Sequence, residues 1–452
     1  MGILPQENLK KTVFLETFGC QMNESDSERL LGFLSSLGYE QVSDYNKADL
    51  IMLNTCSVRD KAEQKVYSAL GRFRPLKETR PGLIIALCGC VAQQQGEKLL
   101  QRIPYLDLVI GTNNIHKIGE LLLEARSRNK RVAATSFSGI IEEDEYRDAT
   151  RRDSLKAFVS IMRGCDNYCS YCIVPYTRGH EVSRKAADII DEIKRLCRDG
   201  VREVMLLGQN VNSYRDSGAG LAFVDLLRMV ARIEGIWRIR FVTSHPRDLS
   251  PELIRLFGEE EKLCRHLHLP VQSGSDRVLK LMRRGYKVSE YLGKAAMLQE
   301  MYPDMALTTD IIVGFPGETE EDFEATMALI RRLGFDNIFS FMYSSRPGTL
   351  AAGFEPTVPL EEKKRRLAAL QALQSSITLQ RGNQLVGSIE NVLVEGASKL
   401  REEEFTGRTS QNRVVNFSAP IEKEGSLIDV QITEAYQHSL RGTYREWKTY
   451  AT

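Results

Sequence analysis

The sequence predicts an α/β protein in three parts, and three observations carry that reading. Short apolar runs alternate with helical periods from Lys11 to about Ala125; a strand and helix unit then recurs six times between Ala157 and Tyr343; past Gln384 the pattern changes to short strands with glycine at the turns. The first pattern gives an open α/β sheet and the second a partial (β/α)6 barrel of parallel strands, with chemistry at the strand C-terminal ends. The third gives a small antiparallel β-barrel. The expected boundaries are 11–127 for the N-terminal domain, 128–150 for a linker, 151–381 for the core and 384–447 for the C-terminal barrel. A chain of 452 residues fits that count, since one domain takes about 150 residues. The formal charge of +1 supplies no global field, so any nucleic acid has to be held by local patches. Met1 to Lys10 lacks a signal core, and no apolar run approaches the roughly 20 residues that span a bilayer. A cytoplasmic protein with no membrane partner is expected, whose nine cysteines are ligands or buried thiols.

In the first part, Thr12–Thr17, Ala48–Asn54, Leu83–Leu87 and Leu106–Ile110 read as buried parallel strands, with helices over Ser25–Leu37 and Val58–Phe73. Three of the four strands run into a cysteine: Cys20, Cys56 and Cys90. Ligands of open α/β sheets sit at the carboxyl ends of strands, so thiols far apart in sequence converge there. One such cysteine is an ordinary buried hydrophobe; three at equivalent ends are not. Cys88, at the end of a wholly apolar run, reads as a packing residue. Arg126 to Arg131 and Gly139 to Asp153 read as a solvated connection, the basic stretch having RNA contact as its sharper alternative.

The core opens on the strand Ala157–Met162, which runs into Arg163-Gly-Cys-Asp-Asn-Tyr-Cys-Ser-Tyr-Cys-Ile-Val-Pro-Tyr-Thr-Arg-Gly179. Three closely spaced thiols, Cys165, Cys169 and Cys172, are metal ligands more often than disulfides in a reducing compartment. Three is one short of a closed zinc site, which His180 would complete; an iron-sulfur cube on three cysteines keeps one iron open. Helix Lys185–Arg198, strand Glu203–Leu207, helix Ala222–Ile233, strand Arg238–Thr243, helix Pro251–Gly258, strand His266–Leu269, strand Leu307–Val313, helix Glu320–Leu333 and strand Asn337–Tyr343 follow. The loops at the strand ends, Gly208-Gln209-Asn210, Thr243-Ser244-His245, Pro270 to Ser275 and Val313 to Glu318, offer glycine and hydrogen-bonding groups to a cofactor. Turn formation or capping accounts for any one of them equally well. His268 alternates with Leu267 and Leu269 and reads as a core histidine. Arg283, Arg284 and Lys287 read as a solvated helix end, with phosphate contact as the alternative.

Leu360 to Leu379 reads as a connecting helix carrying a basic cluster at 363–366. Beyond it, Glu390–Val394, Arg413–Phe417 and Leu427–Ile432 read as barrel strands, with Phe417 in the core. Acids slightly outnumber bases here, so any nucleic acid on this barrel would be held locally, with Arg408, Arg413, Arg441 and Arg445 as the candidate phosphate contacts if they cluster on one face.

Cys165, Cys169 and Cys172 in the spacing Cx3Cx2C, with the aromatic Tyr171 before the last thiol, resemble the radical S-adenosylmethionine (SAM) superfamily. Thr17-Phe-Gly-Cys20-Gln-Met-Asn23, Asn54-Thr-Cys56-Ser-Val-Arg59 and Gly89-Cys90-Val-Ala-Gln93 narrow the resemblance to its methylthiotransferase branch, from about Lys11 to about Trp447. The C-terminal strings Val392 to Gly396, Gly407 to Thr409 and His438 to Gly442 resemble the RNA-binding TRAM domain. The resemblance implies two 4Fe-4S clusters, one on Cys165, Cys169 and Cys172 that binds SAM, and an auxiliary one on Cys20, Cys56 and Cys90 that holds or supplies sulfur. It implies SAM contacts from Tyr171, Gln209, Asn210, Ser244, Gln272 and Ser273. No side chain is needed as acid or base, because the C–H bond at carbon 2 of adenine is beyond such groups and the cofactors carry the chemistry. The implied substrate is a prenylated adenosine in the anticodon stem-loop of tRNA, where an unpaired base can be splayed out. An electron donor and a sulfur or iron-sulfur carrier protein are the implied partners. Gln and Met after Cys20 favour this branch over those acting on threonylcarbamoyl-adenosine or on a ribosomal protein. A metal-stabilised RNA-binding protein without catalysis is the rival from another class.

Overall fold

The computed structural model describes residues 11–57, 60–128, 130–137, 150, 153–398, 401, 403–420 and 424–445. Its first unit is a sheet of six parallel strands, β1 (Lys11–Phe18), β2 (Tyr39–Gln41), β3 (Leu50–Thr55), β4 (Ile84–Gly89), β5 (Leu108–Ile110) and β6 (Val132–Ala134). Their order is β2-β1-β3-β4-β5-β6. Every residue of β3 and β4 is buried, because helices cover both faces; strands covered on both sides read as unbroken apolar runs. The two short edge strands β2 and β6 carry no such run, so the pattern gave no sign of them. β6 falls inside the stretch expected to be linker, most of which (129 and 138–149) lies outside the described residues.

The core holds six parallel strands, Lys156–Ser160, Glu203–Leu207, Arg238–Phe241, His266–His268, Ala306–Val313 and Asn337–Met342. They form two three-stranded sheets joined by a single parallel bridge, Ile239 to Leu263. The first and last strands are sheet edges, so the barrel is open along one side. Two helices beyond the expected set, Asp276–Leu281 and Val288–Met301, fill the fourth crossover. The first of them begins where Ser275 Oγ accepts from Val278 N, a cap inside a loop read for cofactor contact.

A long helix, Leu360–Asn383, packs on the last core strand and leads into a closed barrel of five strands. Phe405–Thr409 and Leu440–Tyr444 join the three expected strands, and Phe417 is fully buried among them. The barrel is not wholly antiparallel: Val414–Ser418 pairs parallel with Leu440–Tyr444. The reason is geometric, since a closed ring of five strands cannot make every neighbouring pair antiparallel.

This barrel is docked on the core by two buried arginines at the start of the third core strand. Arg238 donates to Arg408 O (2.5 Å) and Asn391 O (2.8 Å), and Arg240 to Ser410 O (2.8 Å) and Thr409 O (2.7 Å). Glu203 balances Arg240 at 3.1 Å. The turn around Ser410 therefore sits over the N-terminal mouth of the core barrel. No helix among the described residues is long and apolar enough to cross a membrane.

Candidate functional site

Parallel register brings the first cysteine triplet together. Phe18 pairs with Thr55 and Thr55 with Gly89, so β1, β3 and β4 end side by side, and each chain delivers a cysteine just beyond. Cys20 caps the helix Gln21–Ser36, Cys56 hangs from Phe18 O through its own N–H (2.9 Å), and Cys90 opens the helix Cys90–Gln95. Gly89 makes that last turn with φ +91°, and a Cβ there would lie 2.5 Å from Thr55 O, so only glycine fits. A hydrogen bond from the Cys56 thiol, helped by the Arg178 guanidinium, pulls the Cys20 thiol down to about 6. Burial pushes the Cys90 thiol up, with Arg178 opposing it. Cys88 points to the other face and is fully buried with Leu15 and Met52, as its apolar run implied.

Arg178 is a group that the sequence reading missed, although it stands in the string that carries the second triplet. It ends the short helix Val174–Arg178 of the core and crosses into the N-terminal domain to meet Asp26 at 2.7 Å, both side chains almost wholly buried. Thr112 Oγ1 donates to Thr177 O (2.6 Å) beside it. Asp26, Cys90 and Cys20 hold this guanidinium charged against the cost of burial.

The second triplet lies on the loop after the first core strand. Gly164 has φ +77°, donates to Gln209 Oε1 (2.5 Å), and leaves no room for a Cβ, which would meet His180 O at 1.8 Å. Asn167 Nδ2 donates to Cys165 Sγ (3.3 Å) and Arg284 Nη1 to Cys169 Sγ (3.4 Å). Burial pushes the Cys172 thiol up to about 12 and the Cys165 thiol upward as well. An all-sulfur donor set with N–H groups aimed at the sulfurs suits an iron-sulfur cluster, whose ligands are hydrogen-bonded thiolates. Among the described residues no three His, Cys, Asp or Glu side chains lie close enough for a single metal ion. His180 is turned to Asp166 at the surface instead (2.8 Å).

Arg284 corrects the expectation of a solvated helix end. It is buried, donates to Pro270 O (2.7 Å), lies 3.5 Å from the Tyr171 hydroxyl, and is kept charged by Tyr171, Tyr286 and Cys169. Around this loop several buried polar atoms have no hydrogen-bond partner among the described residues: Asn210 Oδ1, Ser244 Oγ, His245 Nε2 and Gln272 Oε1. Buried polar groups are normally satisfied, so such a cluster at the C-terminal ends of three strands fits a polar ligand lodged there. Burial and three nearby cations keep the His245 ring neutral. Ser273 is engaged within the protein, by Thr326 Oγ1 (3.4 Å) and Ser275 N (3.2 Å).

All three units meet at one cavity of about 510 Å³, lined by Cys20 and Cys56, by His268, Asp310 and Phe339 of the core, and by Arg408, Arg413 and Tyr436 of the C-terminal barrel. His268 is therefore not a core residue: Leu267 and Leu269 are the buried members of its strand, and alternation puts His268 on the face toward the barrel lumen. The four arginines expected on RNA are all engaged. Arg408 pairs with Glu395 (3.3 Å) and Arg413 with Asp336, while Arg441 pairs with Glu404 (3.2 Å) and Arg445 donates to Gln431 Oε1 (3.0 Å) outside the cavity.

Three family profiles match the chain in order: Uncharacterized protein family UPF0004 over residues 12–111, the Radical SAM superfamily over 159–330 and the TRAM domain over 383–444. In fold it is similar to the radical S-adenosylmethionine methyltransferase TsrM from Kitasatospora setae, with a TM-score of 0.54 at 15% identity, covering 84% of this chain and 78% of that one. Among curated relatives it is 50% identical over 435 residues to the tRNA-2-methylthio-N(6)-dimethylallyladenosine synthase of Geotalea uraniireducens, covering 96% of this chain and 98% of the relative. The synthase of the same name from Syntrophobacter fumaroxidans is 52% identical over 437 residues, covering 95% of each chain. Similarity of that depth over nearly the whole length means that the chain belongs to the methylthiotransferase family of radical SAM proteins, alongside these bacterial synthases.

Proposed function

We infer that this protein is a radical SAM methylthiotransferase that places a methylthio group on carbon 2 of N6-dimethylallyladenosine in tRNA. The observation that carries the reading from the structure is the shared cavity, where thiols of the first domain, the lumen of the core and the C-terminal barrel face one another. When bound, the two clusters and SAM supply hydrogen-atom abstraction, the sulfur and the methyl group. The protein's own part is to hold them and the base. Cys165, Cys169 and Cys172 are proposed ligands of one cluster, with Asn167 and Arg284 donating to its sulfurs. Cys20, Cys56 and Cys90 are proposed ligands of the other, with Arg178 as their buried counter-charge. Asn210, Ser244 and Gln272 present free acceptors to SAM, and Gln209 and Tyr171 hold the cluster loop through Gly164 and Arg284. Ser273 braces the loop that carries Gln272, accepting from Ser275 N.

The reaction draws electrons from outside the site, and the sulfur given up by the auxiliary cluster has to be replaced before another turnover, so an electron donor and a sulfur or iron-sulfur carrier are the proposed partners. The test is a single mixture: protein reconstituted without oxygen, SAM, a low-potential reductant, and anticodon stem-loops carrying dimethylallyl-adenosine or threonylcarbamoyl-adenosine. Mass spectrometry of the digested RNA should find the methylthio group on the dimethylallyl base; product on the other base, or on neither, overturns the reading.

Arg408, Arg413, Arg441 and Arg445 are proposed to meet tRNA phosphates, Arg445 most directly because among the described residues its guanidinium is held by a neutral side chain, Gln431. Arg445→Gln should weaken tRNA binding and lower the slope of log affinity against log salt by about one. An unchanged slope removes Arg445 from the RNA contact.

A further inference from the structure

Inward positions of a parallel barrel are ordinarily filled by branched apolar side chains. Here the lumen faces of three adjacent strands present His266 and His268, Thr308 and Asp310, and Phe339 and Phe341, all lining the shared cavity. Their alternating neighbours Leu267, Thr309 and Ile338 are buried on the other face. The polar members form a linked row. His268 Nδ1 lies 3.0 Å from Thr308 Oγ1, and Thr308 Oγ1 lies 3.3 Å from His266 Nε2. His268 Nε2 is 3.5 Å from Asp310 Oδ1, and the ring stands edge-on to Phe339 at 5.7 Å. A histidine bonded to Thr308 through Nδ1, with Asp310 beside its Nε2 and an aromatic ring against its edge, fixes the orientation of its neighbours. What it fixes is an acceptor and an apolar surface: the Asp310 carboxylate, on the cavity wall, and Phe339, whose residue surface is 45% exposed. An aromatic ring left open inside a cavity gains its burial only when a ligand covers it.

Resting on the proposed reaction, one further assignment follows from that wall. Cys20 and Cys56 line the same cavity, and the bonds at carbons 2 and 6 of adenine point in divergent directions. A base whose carbon 2 faces the thiols turns its N6 group toward the barrel strands. We propose that Phe339 and Asp310 read that side of the target base, Phe339 packing the apolar arm on N6 and Asp310 accepting the N6 hydrogen. Arg413 is paired with Asp336 and Arg408 with Glu395, so both guanidiniums have carboxylate partners other than Asp310.

The two residues have separable signatures. Affinities are measured at one salt concentration for the anaerobically reconstituted full chain and two stem-loops identical except that one carries dimethylallyl-adenosine and the other plain adenosine. The unaltered protein should prefer the dimethylallyl RNA by roughly tenfold or more, the scale of burying several carbons. Phe339→Ala should bring that preference close to parity, the loss falling mainly on the dimethylallyl RNA; Phe339→Leu, which restores apolar bulk, should recover part of it. Asp310→Asn should weaken both RNAs alike, on the order of tenfold for a hydrogen bond to a charged group, because both bases carry an N6 hydrogen. A preference that survives Phe339→Ala overturns the assignment of Phe339, and two unchanged affinities in Asp310→Asn overturn that of Asp310, in each case with the proposed reaction still standing. If the unaltered protein shows no preference, this inference falls; whether the reaction reading falls with it is decided separately by the product analysis.

Discussion

Replacing Cys165, Cys169 and Cys172 by alanine should remove about half the bound iron and all reductive cleavage of SAM, because only that triplet lies beside the unpartnered polar atoms of Asn210, Ser244 and Gln272 proposed to hold the cofactor. Replacing Cys20, Cys56 and Cys90 should also remove about half the iron, yet leave SAM cleavage measurable and methylthio product absent. The two triplets are held by different frames, one by the register of β1, β3 and β4 and the other by the loop between Met162 and Val174, so each should load without the other. Cys88→Ala should keep both clusters, since that thiol is packed in the apolar core on the other face of the sheet. Iron and sulfide analysis with anaerobic SAM turnover reads all three variants. Methylthio product from the triple variant of Cys20, Cys56 and Cys90 would sink the auxiliary-cluster role, and loss of that cluster in Cys88→Ala would sink the choice of Cys90.

The second large effect is expected at Arg178. Its pair with Asp26 joins the core to the N-terminal domain with side chains only 7% and 2% exposed, and it also faces Cys90 and Cys20. Breaking a buried pair from one side leaves an uncompensated charge, at a cost of about 3–5 kcal/mol. Arg178→Met and Asp26→Leu should each be destabilised on that scale in denaturant unfolding, whereas the double variant should recover part of the loss, because it removes both members of this pair while Arg29, which also pairs with Asp26 at 3.4 Å, keeps its buried charge. The recovered double variant should still bind less auxiliary iron, since it lacks the cation beside those thiols. Single variants within about 1 kcal/mol of the parent would mean that the pair is not a structural bridge.

Much of this was legible before any coordinates. Apolar runs marked β3, β4 and β5, which are buried throughout, and strand patterns marked β1, all six core strands and three of the five barrel strands as well. The spacing of Cys165, Cys169 and Cys172 is local chemistry, and local chemistry survives in sequence. What stayed hidden depends on packing. β2 and β6 are edge strands of three residues with no period to read, and the parallel closure of the C-terminal barrel follows from its strand count. His268 shows the limit most plainly. Alternation with Leu267 and Leu269 establishes that it points opposite to them, but in a barrel open along one side only the tertiary structure decides that the opposite face is a cavity shared with Cys20 and Cys56. The same holds for Arg284 and Arg178. Sequence identifies each as a cation, and only burial beside Cys169 or against Asp26 and Cys90 turns a charge that would be solvated on a surface into a fixed counter-charge for thiols.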